Sequence, residues 1–278
     1  SRIDAQFNSG SVFVSDDGAG TYSVRYHIST TNTRADVNDT IIVVRATDAA
    51  TNFDTEHWPV TLDNNGPIVR TIDIEDAQFG TDRAKDKLLN DNDTVTIGAA
   101  DTTTAVSAIE FFVDVIGRDS EGVHLVAVDG QFNGLVETGR ATLDVASLAD
   151  GFHTLHAHAL DSAGLWGAYR SDTFILDRAG PRIQNVIIDR GPRQLPRDGD
   201  TITISALVTD VTTVVDTVFL ICTSVSAIPQ QTMLDDGANG DEAAGDHVYT
   251  TRFFLTSANF TGDTGFTIVA RDIVRNTS

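Results

Sequence analysis

The sequence contains one cysteine, two lysines and no long run of apolar residues. Cys222, being alone, excludes an internal disulfide and any zinc site built from several cysteines. No stretch approaches the roughly 18 consecutive apolar residues that a membrane-spanning helix needs, so we expect no membrane span. A net charge of −21 over 278 residues repels phosphate backbones, so we expect no nucleic-acid partner.

Sequence signatures of enzymes are also missing. The chain has no G-x-S-x-G motif, no H-E-x-x-H motif and no glycine-rich phosphate-binding loop. Carboxylates are so frequent that a pair of them does not mark a catalytic centre. We therefore predict that the protein is not an enzyme.

The charged residues have an unusual composition. Of the 40 acidic residues 34 are Asp, and of the 19 basic residues 17 are Arg. Scarce Glu and Lys beside abundant Thr and Val favour strands over helices. The aspartates fit three interpretations: they form turns, they bind calcium, or they keep the surface hydrated in concentrated salt. Abundant Asp and Arg with almost no Lys resembles the composition of halophilic archaeal proteins.

A strand-and-turn segment occurs three times. An alternating apolar strand ends in Ala-x-Asp, at Asp48, Asp161 and Asp272, and a short turn follows that contains Asn or Gly. The aspartates are 113 and 111 residues apart, which is the size of one sandwich domain. Two copies continue into a strand and the linker Asp-x-x-Gly-Pro, at residues 63–67 and 177–181. The period predicts tandem domains.

We therefore predict three domains: residues 1–66 without their first strands, 67–180 complete, and 181–278 without their last strand. The expected fold is all-β, with tandem immunoglobulin-like antiparallel β-sandwiches. We expect a window from a longer repetitive polypeptide, or else missing strands that a neighbouring chain supplies. Residues 79–92 are predicted to form a long polar loop. The strands predicted in the complete domain are 68–74, 93–99, 107–116, 123–128, 141–145, 153–160 and 169–176.

The turn, the linker and residues 234–250 carry a resemblance to a known family. Residues 234–250 read Leu-Asp-Asp-Gly-Ala-Asn-Gly-Asp-Glu-Ala-Ala-Gly-Asp-His-Val-Tyr-Thr. Together, these motifs resemble the bacterial and archaeal immunoglobulin-like repeats of surface-layer proteins and large adhesins. The resemblance implies an extracellular location at the cell surface.

We predict a non-catalytic structural segment of such a cell-surface repeat protein, as part of a surface layer, an adhesin or a filament. Its expected partners are other copies or neighbouring repeats of the same long chain. One alternative is an adhesion module that recognises a glycan or a host protein, with residues 79–92 as the first place to look. Another is a set of accessory domains in a larger exoenzyme.

The acidic loop at residues 235–246 is a candidate calcium site. Oxygen-bearing side chains alternate with glycines there, and a loop of this kind can fold around Ca²⁺ so that the side-chain oxygens ligate the ion. The twelfth position, where an EF-hand has a bidentate Glu, is an Asp. The loop is equally interpreted as an acidic hairpin that uses Gly and Asp for its turn geometry. The candidate ligands are Asp235, Asp236, Asn239, Asp241 and Asp246.

Aspartates near the linkers are a second candidate for calcium. Asp63 and Asp177 begin the two linkers, and other aspartates are expected in loops at the ends of the sandwiches. If several converge, one cation would cancel their repulsion and stiffen the array, as in cadherin-like modules. Alternatively, Asp simply ends strands and begins turns. The further candidates are Asp48, Asp161, Asp101 and Asp210.

Two other groups of residues carry expectations. Sequons predict glycosylation at Asn38, Asn92, Asn259 and Asn276. Three histidines, at positions 153, 156 and 158, share one predicted strand. Because no third metal ligand is evident, we predict that these histidines are surface or half-buried strand residues.

Overall fold

The structure is a computed structural model of the chain. It describes residues 2–5, 12–16, 22–26, 37–48, 50–75, 87–192, 197–222, 230–255 and 265–278. Side chains are described from residue 45 onward, except those of residues 46, 57–60, 62 and 75. The described residues contain no helix, which confirms the prediction of an all-β fold.

Within these residues, no helix has the length and apolar character that crossing a membrane requires.

The strands vary from two to eleven residues in length. In chain order they are β1 (Arg2–Ala5), β2 (Val12–Asp16), β3 (Tyr22–Tyr26), β4 (Val37–Thr47), β5 (Phe53–Leu62), β6 (Ile68–Glu75), β7 (Leu88–Leu89), β8 (Asp93–Ala100), β9 (Val106–Val113), β10 (Val123–His124), β11 (Val126–Ala127), β12 (Val136–Leu143), β13 (Gly151–Asp161), β14 (Arg170–Leu176), β15 (Arg182–Asp189), β16 (Thr201–Thr209), β17 (Val215–Cys222), β18 (Gln230–Met233), β19 (Val248–Phe254) and β20 (Phe266–Asp272).

These strands form several separate sheets. The strand orders are β1-β4-β5, β2-β3, β10-β9-β13-β14-β7, β11-β12-β8-β6, β15-β16-β19 and β18-β17-β20. The described pairings are antiparallel, except that β7 pairs with β14 in parallel.

The predicted strands of the middle segment agree with the structure at most positions. The predicted strand 123–128 is divided into β10 and β11, which join different sheets. The predicted strand 141–145 is shifted, because β12 starts at Val136. Of the predicted loop 79–92, only residues 87–92 are described, and they include β7.

The chain divides into two compact units. One contains residues 1–73, 95–141 and 155–172, and the other contains 74–94, 142–154 and 173–278. The three predicted domains, which end after residues 66 and 180, stay a prediction.

Alternating burial explains why the apolar strands pair into sheets. On β16, every second residue from Ile202 to Val208 is buried, and the residues between them are half-exposed. Because successive side chains of a strand point to opposite faces, this pattern places one face of the sheet in a core. Buried side chains from two sheets share that core, which makes the second unit sandwich-like there: Ile202, Ile204, Ala206, Val208, Val218, Leu220, Met233, Phe253 and Ala270.

The histidines of β13 differ from the expectation. His153 is 9% exposed and His158 only 1%, whereas His156 is half-buried. The prediction of surface or half-buried side chains is therefore wrong for two of the three. They are buried because aromatic side chains cover them: Phe174 stacks on His153, and both Trp166 and Tyr169 stack on His158.

Candidate cation sites at three aspartate clusters

Nine aspartates lie in three groups of three within the described residues. In each group one carboxylate oxygen of each aspartate lies within 4.8 Å of one such oxygen of the other two. Oxygens that ligate one Ca²⁺ at about 2.4 Å can be at most about 4.8 Å apart, so each group has a spacing that this cation can bridge. We name them the first cluster (Asp63, Asp101 and Asp161), the second cluster (Asp177, Asp210 and Asp272) and the third cluster (Asp235, Asp241 and Asp246).

The first cluster lies where three strands end. Asp63 follows β5, Asp101 follows β8, and Asp161 is the last residue of β13. Thr104 connects two of them, because its Oγ1 donates to Asp63 Oδ2 at 2.5 Å and its backbone N donates to Asp101 Oδ1 at 2.9 Å. Burial raises the pKa of Asp63, although the hydrogen bond from Thr104 lowers it. The nearby charges of Asp101 and Asp161 raise this pKa further.

Asp161 is the most enclosed member of the first cluster, with 2% of its surface exposed. Its Oδ1 accepts a hydrogen bond from the backbone N of Leu165 at 2.8 Å. Its Oδ2 is buried and has no hydrogen-bond partner in the described part of the chain. A buried carboxylate oxygen is costly unless it is hydrogen-bonded or ligates a metal. Asp161 Oδ2 is therefore the atom of this cluster with the strongest need for a ligand.

The two linkers approach neighbouring turns closely. A Cβ on Gly66 would lie 2.4 Å from Gly167 N and from Trp166 C. A Cβ on Gly180 would lie 2.4 Å from Thr277 O. Contacts of this length with backbone atoms leave no space for a side chain. The glycine of each Asp-x-x-Gly-Pro linker is thus explained by packing.

The second cluster repeats the arrangement of the first. Thr213 Oγ1 donates to Asp177 Oδ2 at 2.5 Å, and Thr213 N donates to Asp210 Oδ1 at 2.8 Å. Asp272 is the last residue of β20, as Asp161 is the last residue of β13. Burial raises the pKa of Asp177, and the charge of Asp210 raises it further, while the hydrogen bond from Thr213 lowers it.

Asn276 completes the second cluster with an amide. Its backbone N donates to Asp272 Oδ1 at 2.9 Å, and its Nδ2 donates to Asp272 Oδ2 at 2.9 Å. The same Nδ2 donates to the carbonyl O of Asp177 at 2.9 Å. Burial raises the pKa of Asp272, against the lowering effect of the hydrogen bonds from Asn276. Both carboxylate oxygens of Asp272 therefore have partners.

The third cluster belongs to the acidic loop, which closes on the carboxylate of Asp235. This carboxylate accepts hydrogen bonds from the backbone N of Gly245 at 2.6 Å, Asp246 at 3.2 Å and His247 at 3.0 Å. The sharp curvature uses residues with positive φ: Gly237, Asn239, Gly240, Gly245 and His247.

Asp241 is the buried member of the third cluster, with 7% of its surface exposed. Its Oδ2 accepts a hydrogen bond from Gly237 N at 2.6 Å. Its Oδ1 is buried and has no hydrogen-bond partner among the described residues. The third cluster therefore also contains an oxygen that a cation would satisfy.

Not all predicted ligands join a cluster. Asp236 is exposed and accepts a hydrogen bond from Ala238 N at 3.0 Å. The backbone of Asn239 forms an isolated β-bridge with the backbone of Asp241. Asp48 belongs to none of the three clusters found in the described residues. Asp272, in contrast, is a cluster member that is missing from the predicted ligands, although it ends the third Ala-x-Asp strand.

The predicted glycosylation sites have different surroundings. Asn92 is exposed, and its Oδ1 accepts a hydrogen bond from Val145 N at 2.9 Å. The Nδ2 of Asn276, to which a glycan would be attached, is engaged in the second cluster. Asn38 lies in β4, where only the backbone is described, and Asn259 lies outside the described residues.

Comparisons with known proteins assign no family. No family model matches the chain, and no curated protein matches its sequence significantly. Function is therefore inferred from the residues and their geometry.

Proposed function

We propose that the chain is a non-catalytic structural segment of an extracellular cell-surface repeat protein, as in a surface layer, an adhesin or a filament. Tandem immunoglobulin-like sandwiches, joined by short proline-containing linkers, would be its working units. Their task is to space or tile the surface, and their partners are other repeats of the same kind.

The recurrence of one linker arrangement carries this proposal. In both copies an aspartate accepts a hydrogen bond from a threonine side chain, Thr104 in one case and Thr213 in the other. In both copies the linker glycine, Gly66 or Gly180, lies against a turn that follows an Ala-x-Asp strand. A structure that repeats at both linkers is expected of a tandem array, in which each repeat contacts its neighbours. The sandwich-like core formed by side chains between Ile202 and Ala270, together with the antiparallel sheets, supports the immunoglobulin-like assignment.

Location at the surface is tested on intact cells that produce the whole protein. Antibodies against the 278-residue chain should label intact cells, and brief treatment of those cells with an added protease should remove the label. A cytoplasmic protein, probed in the same cells, is the control for lysis. Labelling that appears only after lysis would contradict the proposed location.

We also propose Ca²⁺ as the cofactor of the first and third aspartate clusters. The donors are carboxylate oxygens, which hard cations prefer, and two buried oxygens need a partner, Asp161 Oδ2 and Asp241 Oδ1. In the first cluster, Asp63, Asp101 and Asp161 would hold the ion. A bound cation would cancel the repulsion of three carboxylates and connect the linker to the neighbouring turn.

Thermal unfolding separates a calcium site from tolerance of salt. The chain is measured after removal of divalent cations, with millimolar CaCl₂, and with molar KCl and no calcium. A ligand that binds only the folded state stabilises it by RT ln(1 + [L]/Kd), which is about 2.7 kcal/mol at 100-fold excess over Kd. We expect CaCl₂ alone to raise Tm. A rise with KCl but none with CaCl₂ would mean that the aspartates serve stability in brine instead.

A further inference from the structure

We propose that the fourth residue after the turn aspartate decides whether a cluster depends on a cation. In the first cluster this residue is Leu165, and Asp161 needs a bound Ca²⁺. In the second cluster it is Asn276, whose side-chain amide takes the place of the ion. This inference rests on the proposed binding of Ca²⁺ to the aspartate clusters, and it names the residue that selects the binding site.

The three Ala-x-Asp turns share one geometry. The backbone N of the fourth residue donates to the aspartate Oδ1 at 2.8 Å from Asn52, 2.8 Å from Leu165 and 2.9 Å from Asn276. The third residue has a left-handed backbone in every copy, with φ of 69° at Thr51, 88° at Gly164 and 68° at Arg275. The same atom of the aspartate is therefore satisfied in the same way in all copies.

The second carboxylate oxygen distinguishes the copies. Asn52 Nδ2 donates to Asp48 Oδ2 at 2.8 Å, and Asn276 Nδ2 donates to Asp272 Oδ2 at 2.9 Å. Leu165 has no side-chain donor to offer, and Asp161 Oδ2 is left buried without a partner in the described residues. One change of residue type thus coincides with one unsatisfied oxygen.

The amide of Asn276 also performs the linking task that a cation would perform. It joins Asp272 to the backbone of the linker, through the carbonyl O of Asp177 at 2.9 Å and that of Ala179 at 3.4 Å. In the first cluster a leucine stands at this position. A cation that ligates both Asp63 and Asp161 would provide the corresponding connection between linker and turn.

Solvent reaches the neighbourhood of the first cluster. An open hollow of about 500 Å³ is lined by Asp101, Trp166 and the linker residues Asn64 to Gly66. A hydrated cation can therefore approach Asp101 and exchange its waters for carboxylate oxygens.

The decisive experiment exchanges the two side chains. Leu165→Asn installs the amide in the first cluster, and Asn276→Leu removes it from the second. Leu165→Ala is the matched control, because it shortens the side chain without adding a donor. Both positions are half-buried, so the folded state should tolerate the changes. Calcium binding to the 278-residue chain is measured by titration calorimetry after removal of divalent cations, and Tm is measured with and without CaCl₂.

We expect Leu165→Asn to bind one Ca²⁺ fewer per chain than the unchanged protein and to gain Tm in the absence of calcium. We expect Asn276→Leu to bind one Ca²⁺ more and to lose Tm when calcium is removed. Leu165→Ala should keep the calcium stoichiometry of the unchanged protein. These counts hold whether or not the third cluster binds an ion, because that cluster is the same in every variant.

Two results would overturn the inference, and they differ. Equal calcium stoichiometry and equal stabilisation by CaCl₂ in the unchanged protein and in Leu165→Asn would refute the role of residue 165 while leaving the proposed cofactor intact. Absence of calcium binding to the unchanged protein would refute the cofactor and the inference together.

Discussion

His158 Nε2 lies 2.6 Å from Glu110 Oε1, and neither side chain has more than 1% of its surface exposed. The same carboxylate accepts hydrogen bonds from Ser120 N at 2.9 Å and Gly122 N at 3.0 Å. Trp166 also covers His158, with its ring 4.1 Å away. One buried carboxylate thus connects strand β9, strand β13 and the turn before β10.

Removal of this carboxylate should destabilise the fold strongly. Glu110→Ala leaves the buried His158 and two backbone N–H groups without their acceptor, so we expect a loss of about 3 kcal/mol or more in the free energy of unfolding. Urea unfolding measures the change. Glu121→Ala, at an exposed glutamate in the same turn, is the control. Losses of similar size in the two variants would contradict the structural role of Glu110.

The strands could be predicted from the sequence, whereas this buried pair could not. Alternation of apolar residues marks β8 and β16, because each has one buried face. Strand β9 is buried on both faces from Ile109 to Phe112, so Glu110 is enclosed by partners that are distant in sequence. Its burial depends on tertiary contacts that no local pattern contains.

The linker glycines should not tolerate a side chain. Gly66→Ala and Gly180→Ala each place a methyl group 2.4 Å from backbone atoms, which must move. We expect each variant to lose about 1–3 kcal/mol of stability, measured by urea unfolding. Gly265→Ala is the control, because a Cβ at that position meets no atom within 4 Å in the described structure. If Gly66→Ala unfolds at the same urea concentration as Gly265→Ala, the close approach of Gly66 to the backbone is absent in solution.

The clusters were predictable as far as the repeat extends. The first cluster and two members of the second consist of predicted ligands, because the repeat places aspartates at equivalent strand ends. Asp272 is missing from the predicted ligands, although it occupies the equivalent position in the third Ala-x-Asp strand. The unsatisfied oxygen of Asp161 is not predictable from the sequence, because it depends on the burial of that carboxylate and on which donors reach it.

Asp235 should matter more for stability than its neighbour Asp236. Asp235 accepts three backbone hydrogen bonds that close the acidic loop, whereas Asp236 accepts one within its own turn. We expect Asp235→Ala to lose about 1–3 kcal/mol and Asp236→Ala clearly less, measured by thermal unfolding without divalent cations. Equal losses would indicate that the loop does not close on Asp235.

The second cluster should make the cation-free protein more stable as the pH falls. Burial raises the pKa of Asp177 above its ordinary value near 3.8. The folded chain therefore holds this proton where the unfolded chain has released it. The stabilising contribution is fully present below the ordinary pKa and is lost as the pH rises through the folded pKa.

Two variants of the second cluster test this direction, with Tm measured between pH 4 and pH 7 after removal of divalent cations. Asp177→Asn mimics the protonated side chain, so we expect its Tm to fall less than that of the unchanged protein as the pH rises. Thr213→Val removes the hydrogen bond that lowers the pKa of Asp177, so the loss should extend to higher pH. The double variant should behave as Asp177→Asn does, since Thr213 acts on this titration through Asp177. Identical pH dependence in Asp177→Asn and the unchanged protein would mean that this carboxyl is not the group that titrates.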